Sequence, residues 1–365
     1  MSISEQHPEL FHYTNIGGLK GIIKSNSIWA THYSFLNDAQ ETLCLKKFLK
    51  KYCKEEVGAL IKRLNINEKK LAERFPSEDH VAGMAGVAAD NMQNGLLSKE
   101  SAEPYIASFC SVAQGDEYEK NNGLLSQWRG YADGGYALVF ETKKIEELVQ
   151  FEKLAFPGAM AFPQDQILKI GEAVYNEADF CKKYPDEIKL LKEYMCWLAE
   201  TSFVNPTRLD KWIFNEGITK KMQWEWTPAF MRCVALYKHE GFKEEREIRI
   251  VAFLICENYR KDLRSVNKEV KLHNGKPYLE LFKQKEIKRV KARYPSDYLG
   301  IKRIIVGPGS DNEDRARELR EFLAENKKNI EVTISETPYI KQANRVSSPT
   351  FISSLLKKIS NLLSI

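Results

Sequence analysis

Short apolar runs bounded by turn formers alternate along the chain with longer segments of helical spacing. The first run, Leu10–Thr14, predicts a strand, and Asn15 is positioned to cap the short helix that follows. Leu19, Ile22 and Ile23 form the apolar face of that helix. The turn Ser25-Asn26-Ser27 then leads into a second predicted strand, Ile28–Thr31.

Five later runs predict further core strands. They are Tyr105–Cys110, Tyr136–Phe140, Ile248–Ile255, Arg303–Val306 and Glu331–Ser335. Lysine- and glutamate-rich stretches with helical spacing separate these runs, mainly at 39–97 and 185–231. The pattern therefore predicts strand segments interrupted by helical inserts.

Three connecting segments carry recognisable signals. The acidic loop Ser111–Gly123 is rich in turn formers and is interpreted as a lid or rim. The pair Ser310 and Glu313 has capping-box spacing and predicts a helix running to about Asn326. The preceding Gly-Pro-Gly-Ser segment lacks both phosphate-loop patterns, which favours a plain strand-to-helix turn.

These elements predict an α+β fold with a small mixed or antiparallel sheet and helical insertions near 39–100 and 176–231. Residues 1–340 are expected to form one domain, and residues 341–365 a polar linker with an amphipathic tail helix. The tail places its apolar residues on one helical face: Ile352, Leu355, Leu356, Ile359, Leu362 and Leu363. We expect this face to dock on the body, a second copy or a partner protein rather than on a membrane.

Composition narrows the class of protein. The chain has 365 residues, of which 43% are hydrophobic, and a formal net charge of +5, too small an excess to indicate nucleic-acid binding by charge alone. Seven scattered cysteines without a C-x-x-C pair are typical of reduced thiols. The N-terminus shows no signal-peptide pattern, so we expect a soluble, cytoplasmic protein.

Polar side chains interrupt the first strand at His12. A histidine at the end of an apolar strand can donate a hydrogen bond to a ligand hydroxyl, and it can equally be a core residue satisfied by backbone. The sequence leaves these two interpretations about equally weighted. His32 is open to the same two interpretations, with the core one favoured.

A second polar cluster lies in 126–140, before the turn Asp133-Gly134-Gly135. Tyr131 can stack on a planar ring and Arg129 can hold a phosphate. The alternative is a hairpin with a packed tyrosine and a surface arginine, and it is favoured for each residue taken singly.

Strand alternation places Glu247 and Arg249 on the same face as Val251 and Phe253. Burying either charge without a partner would be costly, so each must meet an opposite charge or a ligand. A structural ion pair and a functional site are equally compatible with this pattern. The preceding residues 243–246 are interpreted as a solvated turn.

Other chemistries are disfavoured. The six histidines show no metal-ligand spacing, so no metal is predicted. The nucleophile motif G-x-S-x-G is absent, and Cys110 lies in a predicted core strand where a buried thiol is the default.

Four blocks carry a family resemblance: the LFHYTN…GLKGIIKSNSIWATHYSFLND opening, SFCS with LLSQWRGYADGGYALVF, FKEEREIRIV, and IIVGPGS…ISETPYI. In these blocks, which span roughly residues 8 to 340, the chain resembles the bacterial family catalogued as domain of unknown function 2971. The opening is also similar to the start of the ADP-ribosyltransferase fold, especially its DNA-modifying toxin branch.

That second resemblance implies NAD as substrate, with His12 on the nicotinamide-side ribose, Tyr131 near nicotinamide and Glu247 as the catalytic carboxylate. The expected cofactor-binding residues are His12, Tyr13, Thr14, Arg129, Tyr136 and Arg249. It also implies a toxin or antiviral defence effector acting on nucleic acid or protein. The alternative is a non-catalytic, nucleotide-sensing or assembly module that retains the fold.

Overall fold

The computed structural model describes residues 2–36, 103–132, 135–155, 168–199, 225–254, 269–283 and 299–338, with a few isolated positions between 51 and 90. The predicted tail helix and nearly all of the predicted insertion at 39–97 lie outside the described residues.

Ten strands are described. They are β1 (Glu9–Thr14), β2 (Ile28–His32), β3 (Glu103–Cys110), β4 (Tyr136–Glu141), β5 (Leu168–Glu172), β6 (Glu247–Leu254), β7 (Lys271–His273), β8 (Lys276–Leu281), β9 (Ile301–Val306) and β10 (Glu331–Ile334). The five later core strands predicted from the sequence are thus confirmed to within one or two residues.

The described helices flank or connect these strands. They are α1 (Ile3–Gln6), α2 (Ile16–Ser25), α3 (Glu117–Asn122), α4 (Leu125–Gln127), α5 (Thr142–Ala155), α6 (Glu177–Lys183), α7 (Pro185–Ala199), α8 (Thr227–Leu236) and α9 (Asn312–Glu325). A π-turn, Trp128–Ala132, extends α4, and a 3-10 segment, Glu240–Glu245, precedes β6. Within the described helices, none is long and apolar enough to cross a membrane.

All ten strands join one open sheet in the order β10-β9-β4-β1-β3-β2-β8-β7, with β6 paired to β3 and β5. Among the described strands, only β9 and β10 pair in parallel, and the other pairs are antiparallel. The mixed α and β composition is confirmed, but the prediction of a small sheet is wrong. The sequence reading missed β5, β7 and β8, because their short, polar-rich strands lack a strong apolar run.

The central strand β3 has an asymmetric environment. One edge pairs with β6 along all eight residues, from Glu103 to Cys110. The other edge is shared, because β2 pairs only at Tyr105 and Ile106 and β1 pairs only at Cys110. No described strand therefore pairs with this edge between Ile106 and Cys110, and the sheet opens there between β1 and β2.

The two faces of the sheet are covered by different helices. The largest apolar cluster packs α2, α5 and α9 against one face, with Leu138, Ile250 and Ile304 fully buried at its centre. On the opposite face, α7 and α8 pack over β6 through residues such as Phe230 and Val251. Burial of this apolar surface is the main stabilising contribution to the fold.

The local capping predictions have mixed outcomes. Asn15 caps α2 as predicted, its side chain accepting the Gly18 N–H at 2.9 Å. The capping box at Ser310 is wrong, because α9 begins one residue later, with Asp311 as its N-cap. Arg315 draws the Asp311 carboxylate into a 3.0 Å ion pair, so this cap forms no side-chain bond to the helix N–H groups.

The acidic segment 111–123 is not simply a loop. It contains α3, whose N-cap Asp116 accepts the Glu119 N–H at 2.9 Å. Glu119 also pairs with Arg246 and so ties this segment to the start of β6.

Candidate functional site

A cavity of about 280 Å³ occupies the opening in the sheet beside β3. Its walls come from β1, β2, β3, the π-turn and the beginning of β6. The lining residues are Phe11, His12, Tyr13, Trp29, Thr31, Phe35, Leu36, Ile106, Ser108, Cys110, Gln127, Tyr131, Lys238, Glu245, Glu247, Arg249 and Lys276. The three sequence-predicted catalytic residues, His12, Tyr131 and Glu247, therefore meet at one cavity.

His12 reaches the cavity because β1 and β3 pair only at Phe11 and Cys110 and separate after Phe11. Its Nδ1 lies 3.0 Å from the carbonyl oxygen of Ser108, at which no described strand pairs with this edge of β3. Since a carbonyl only accepts, Nδ1 carries the proton and Nε2 of the neutral ring is an acceptor. Burial lowers the pKa of His12, which favours this neutral form near pH 7.

With this tautomer, His12 fits both interpretations left open by the sequence, a core residue bound to backbone and a residue that binds a ligand. Nδ1 of His12 is satisfied by backbone, as in a core histidine, while Nε2 has no hydrogen-bond partner among the described residues. The side chain is therefore set to accept a hydrogen bond from a ligand hydroxyl at Nε2, the reverse of the donation expected from the sequence.

Glu247 begins β6 and is almost completely buried, with 3% of its surface exposed. Its Oε2 lies 2.9 Å from Arg249 Nη2 and 2.9 Å from Lys238 Nζ. Although desolvation opposes ionisation, these two cations lower the pKa of Glu247 to about 2. The carboxylate is therefore ionised at neutral pH, and the backbone N–H of Glu247 is held by the Tyr175 hydroxyl at 2.9 Å.

Two residues missed by the sequence reading complete this charge cluster. Lys238, whose side chain is 2% exposed, also binds Glu245 Oε2 at 2.6 Å. Glu245 is buried, so the interpretation of 243–246 as a solvated turn is wrong at this position. Glu245 lies in the 3-10 segment before β6, so strand alternation does not extend to it and its burial depends on its pair with Lys238.

Lys238 is harder to find from the sequence. It directly follows the buried helix α8 and Tyr237, and its backbone N–H donates to the Val174 carbonyl at 2.9 Å. A lysine that continues a buried apolar segment requires a partner, as Glu247 did. That partner is identifiable only from the fold, because α8 and β6 are brought together by tertiary packing.

Tyr131 lies at the mouth of the cavity and is 41% exposed. Its hydroxyl donates to Glu245 Oε1 at 3.3 Å. Burial of the hydroxyl and the nearby carboxylates Glu245 and Glu247 raise the pKa of Tyr131, which keeps the phenol protonated. The ring remains available for contact with a ligand.

The other expected binding residues are distributed differently. Arg249 lines the cavity and is bound to Glu247, and Tyr13 forms part of the wall. The Tyr13 hydroxyl, however, accepts the Leu124 N–H at 2.7 Å, which gives it a structural role. Thr14, Arg129 and Tyr136 are not among the cavity's described lining residues.

Thr14, Arg129 and Tyr136 lie away from the cavity, each for a different structural reason. Tyr136 is buried in the apolar cluster on the opposite face of the sheet, 5.9 Å below the Arg315 guanidinium. Arg129 is exposed on the outer side of the π-turn, and Thr14 lies at the far end of β1 beside Gly18. Tyr131 is thus the tyrosine of the second polar cluster that lines the cavity.

Two candidate groups prove to be core residues. His32 is buried, and its Nδ1 lies 2.7 Å from the Ser34 hydroxyl, away from the cavity lining. Cys110 lines the cavity, but burial and the neighbouring carboxylates raise the pKa of its thiol well above the ordinary value. A protonated thiol is a poor nucleophile.

The cavity thus combines a neutral imidazole acceptor, an ionised carboxylate and an exposed phenol ring. Such a set matches a ligand that carries hydroxyl groups and a planar ring. Within the described residues, no group of three or more His, Cys, Asp or Glu side chains is arranged to hold a metal ion.

Comparisons with known proteins add one similarity. No curated protein and no solved structure matches the chain. A family profile matches residues 127–250, which include Tyr131, Lys238, Glu245 and Glu247 but not His12. Over this segment, about a third of the chain, the sequence is similar to the family described as "Protein of unknown function (DUF2971)".

Proposed function

We propose that the chain binds NAD in this cavity and breaks the bond between nicotinamide and ribose, as an ADP-ribosyltransferase or an NAD glycohydrolase. The observation that carries the proposal is the convergence of His12, Tyr131 and Glu247 on one cavity. They come from three segments far apart in sequence, and the lowered pKa values of His12 and Glu247 favour a neutral imidazole and an ionised carboxylate.

The chemistry assigns a role to each residue. When the bond from C1′ to the nicotinamide nitrogen breaks, its electron pair leaves with nicotinamide and positive charge develops on the ribose. The Glu247 carboxylate stabilises that charge, while His12 Nε2 accepts a hydrogen bond from a ribose hydroxyl. Tyr131 contacts the nicotinamide ring at the mouth of the cavity.

Glu245, the second carboxylate of the cavity, is proposed to act as the general base. Glu245 is bound to Lys238 at 2.6 Å and to Tyr131 at 3.3 Å, so it lies on the same side of the cavity as Glu247. It is placed to take the proton from an attacking hydroxyl or water as the new bond to C1′ forms. Water as acceptor would give hydrolysis, and a nucleic-acid or protein acceptor would give transfer.

One observation favours the second candidate, a non-catalytic nucleotide-sensing module. Glu247 Oε2 is already bound by both Lys238 and Arg249 at 2.9 Å, as expected for a structural charge cluster. In that case the cavity binds a nucleotide without cleaving it. A toxin or antiviral role, assembly through the tail and an ADP-ribosyltransferase-like fold rest on the family resemblance.

The test is nicotinamide release from NAD by the wild-type protein, His12→Ala and Glu247→Gln, with and without cell lysate as a source of acceptors. We expect release by the wild type and a loss of at least a hundredfold in Glu247→Gln, because the neutral amide cannot stabilise positive charge. Release that needs lysate indicates transfer, and release without lysate indicates hydrolysis.

A folding control is essential because Gln at position 247 leaves Lys238 and Arg249 without their carboxylate. Far-UV circular dichroism and thermal unfolding of each variant provide it. Folded wild-type protein that binds NAD but releases no nicotinamide under either condition would favour the sensing module.

A further inference from the structure

The mouth of the cavity is bordered by aromatic rings that are unusually accessible. Trp29 is 37% exposed, and Phe35 and Tyr131 are each 41% exposed. All three line the same cavity. Large apolar side chains clustered around an opening are typical of ligand-binding surfaces, because leaving them in water costs free energy.

Trp29 is held as a rigid platform. It lies on β2 two residues from Thr31, about 7 Å further along the same strand face. The ring of Tyr278 on β8 stacks against it at a centroid distance of 4.1 Å and an interplanar angle of 25°. His273 on β7 contacts it at 5.1 Å with a tilt of 59°. These neighbours fix the indole before any ligand arrives, which lowers the entropic cost of binding.

The charge beside this platform is positive. Glu280 binds both Lys271, at 2.5 Å, and Lys283, at 2.7 Å. Lys276 is exposed and lines the cavity, and no carboxylate among the described residues pairs with it. An aromatic platform next to an uncompensated lysine suits a planar base linked to a phosphate.

The volume of the cavity indicates which base of the dinucleotide would stack on Trp29. Its volume of about 280 Å³ is at or below the ~300–1,000 Å³ typical of sites for drug-sized ligands. A dinucleotide that places its nicotinamide-side ribose between His12 and Glu247 must therefore extend its adenosine half out of the cavity. Trp29 and Lys276 line the cavity and are both exposed, so they are accessible to that half.

We propose that Trp29, supported by Tyr278 and His273, stacks with the adenine ring of the dinucleotide while Lys276 contacts its phosphates. This inference rests on the proposed function, since it uses the same cavity. It makes Trp29 a specificity residue that distinguishes dinucleotides from mononucleotides.

The experiment compares two ligands by calorimetry: ADP-ribose, which carries adenine, and nicotinamide mononucleotide, which does not. We expect Trp29→Ala to weaken ADP-ribose binding about tenfold and to leave nicotinamide mononucleotide binding within about twofold. Trp29→Phe should retain most of the affinity for ADP-ribose because it keeps an aromatic ring. Tyr118→Ala is the matched control, since Tyr118 is 52% exposed and is not a lining residue of this cavity.

Several outcomes would overturn the inference. Unchanged ADP-ribose binding by folded Trp29→Ala would do so, as would an equal loss for both ligands or no ADP-ribose binding by the wild type. A single-stranded oligonucleotide whose binding depends on Trp29 while ADP-ribose binding does not would assign the platform to a nucleic-acid acceptor instead.

Nicotinamide release measured in parallel separates this inference from the proposed function. Trp29-dependent ADP-ribose binding without release would support the platform and contradict the catalytic role. Nicotinamide release by the wild type, with unchanged ADP-ribose binding in Trp29→Ala, would support the catalytic role and contradict the platform.

Discussion

Replacing Lys238 by Met tests whether the buried charge cluster is energetically coupled. Met has a similar length and fills the same apolar space without a charge. The substitution removes the cation that lies 2.6 Å from Glu245 and 2.9 Å from Glu247, in a side chain only 2% exposed. Arg249 still pairs with Glu247, but Glu245 loses its only ion pair among the described residues.

The expected cost is large because a buried carboxylate is left without compensation. Removing one partner of a buried ion pair typically destabilises a protein by about 3–5 kcal/mol, and we expect a decrease of that size in the free energy of unfolding at pH 7. The low pKa of Glu247 points in the same direction, because Arg249 and Lys238 together stabilise its ionised form and only Arg249 remains in the variant.

The loss of stability in Lys238→Met should depend on pH, because it arises from a buried carboxylate left without its cation. Without Lys238, the ionised carboxylate of Glu245 is buried with no cation among the described residues to compensate its charge. Protonation at acidic pH removes that charge, so the penalty is largest at neutral pH and decreases as the pH falls. Lys238→Met should therefore be less destabilising near pH 4 than at pH 7.

The assay is urea denaturation of the wild type, Lys238→Met and the double variant Lys238→Met/Glu245→Gln. The double variant should recover at least half of the loss, because it removes both charges together. Lys271→Met is the matched control: its pair with Glu280 is partly exposed, and Lys283 also binds Glu280, so a cost below about 1 kcal/mol is expected. A loss for Lys238→Met no larger than the control's would refute the reasoning.

Three further predictions concern the walls of the site. Tyr13→Phe should lower the free energy of unfolding by about 1–3 kcal/mol in urea denaturation, because the buried Leu124 N–H loses its acceptor at 2.7 Å. Gly123→Ala should destabilise by about 2 kcal/mol or more in thermal unfolding, since Gly123 has φ +74° and a Cβ there would lie 2.8 Å from the Trp128 ring; an unchanged melting temperature would contradict this. On acidification, the stabilisation from Glu247, fully present above pH 4.5, should be lost as the pH falls from 4.5 towards 2, and an equal acid response in Glu247→Gln would show that another group is responsible.

The strong apolar periodicities were sufficient to predict much of the fold. The strands around Leu10–Thr14, Tyr136–Phe140 and Ile248–Ile255 have predominantly apolar runs, and burial favours their extended conformation. The β7–β8 hairpin was missed because its strands are short and rich in polar residues, and Leu272 of β7 is 71% exposed. Its Asn274-Gly275 turn, with both φ values positive, is the signal that would have revealed it.

The candidate site was predictable where a charged residue interrupts a buried strand. Glu247 and Arg249 were found from strand alternation, and the structure brings them to the same cavity as His12. The opening of the sheet beside β3 was not predictable, because it depends on how β1 and β2 share one edge of a distant strand. Lys238 was missed for the same reason, since tertiary contacts alone determine its partners.

The central claim is that this opening holds a nucleotide between His12 and Glu247, and a crystal structure of the protein with ADP-ribose tests it most directly. We expect a ribose with one hydroxyl within about 3 Å of His12 Nε2 and with its C1′ facing the Glu247 carboxylate. We also expect the adenine ring to stack on Trp29. Ligand bound elsewhere, for example in the basic pocket lined by Lys182, Lys183 and Lys243, with the His12 cavity empty, would contradict the claim.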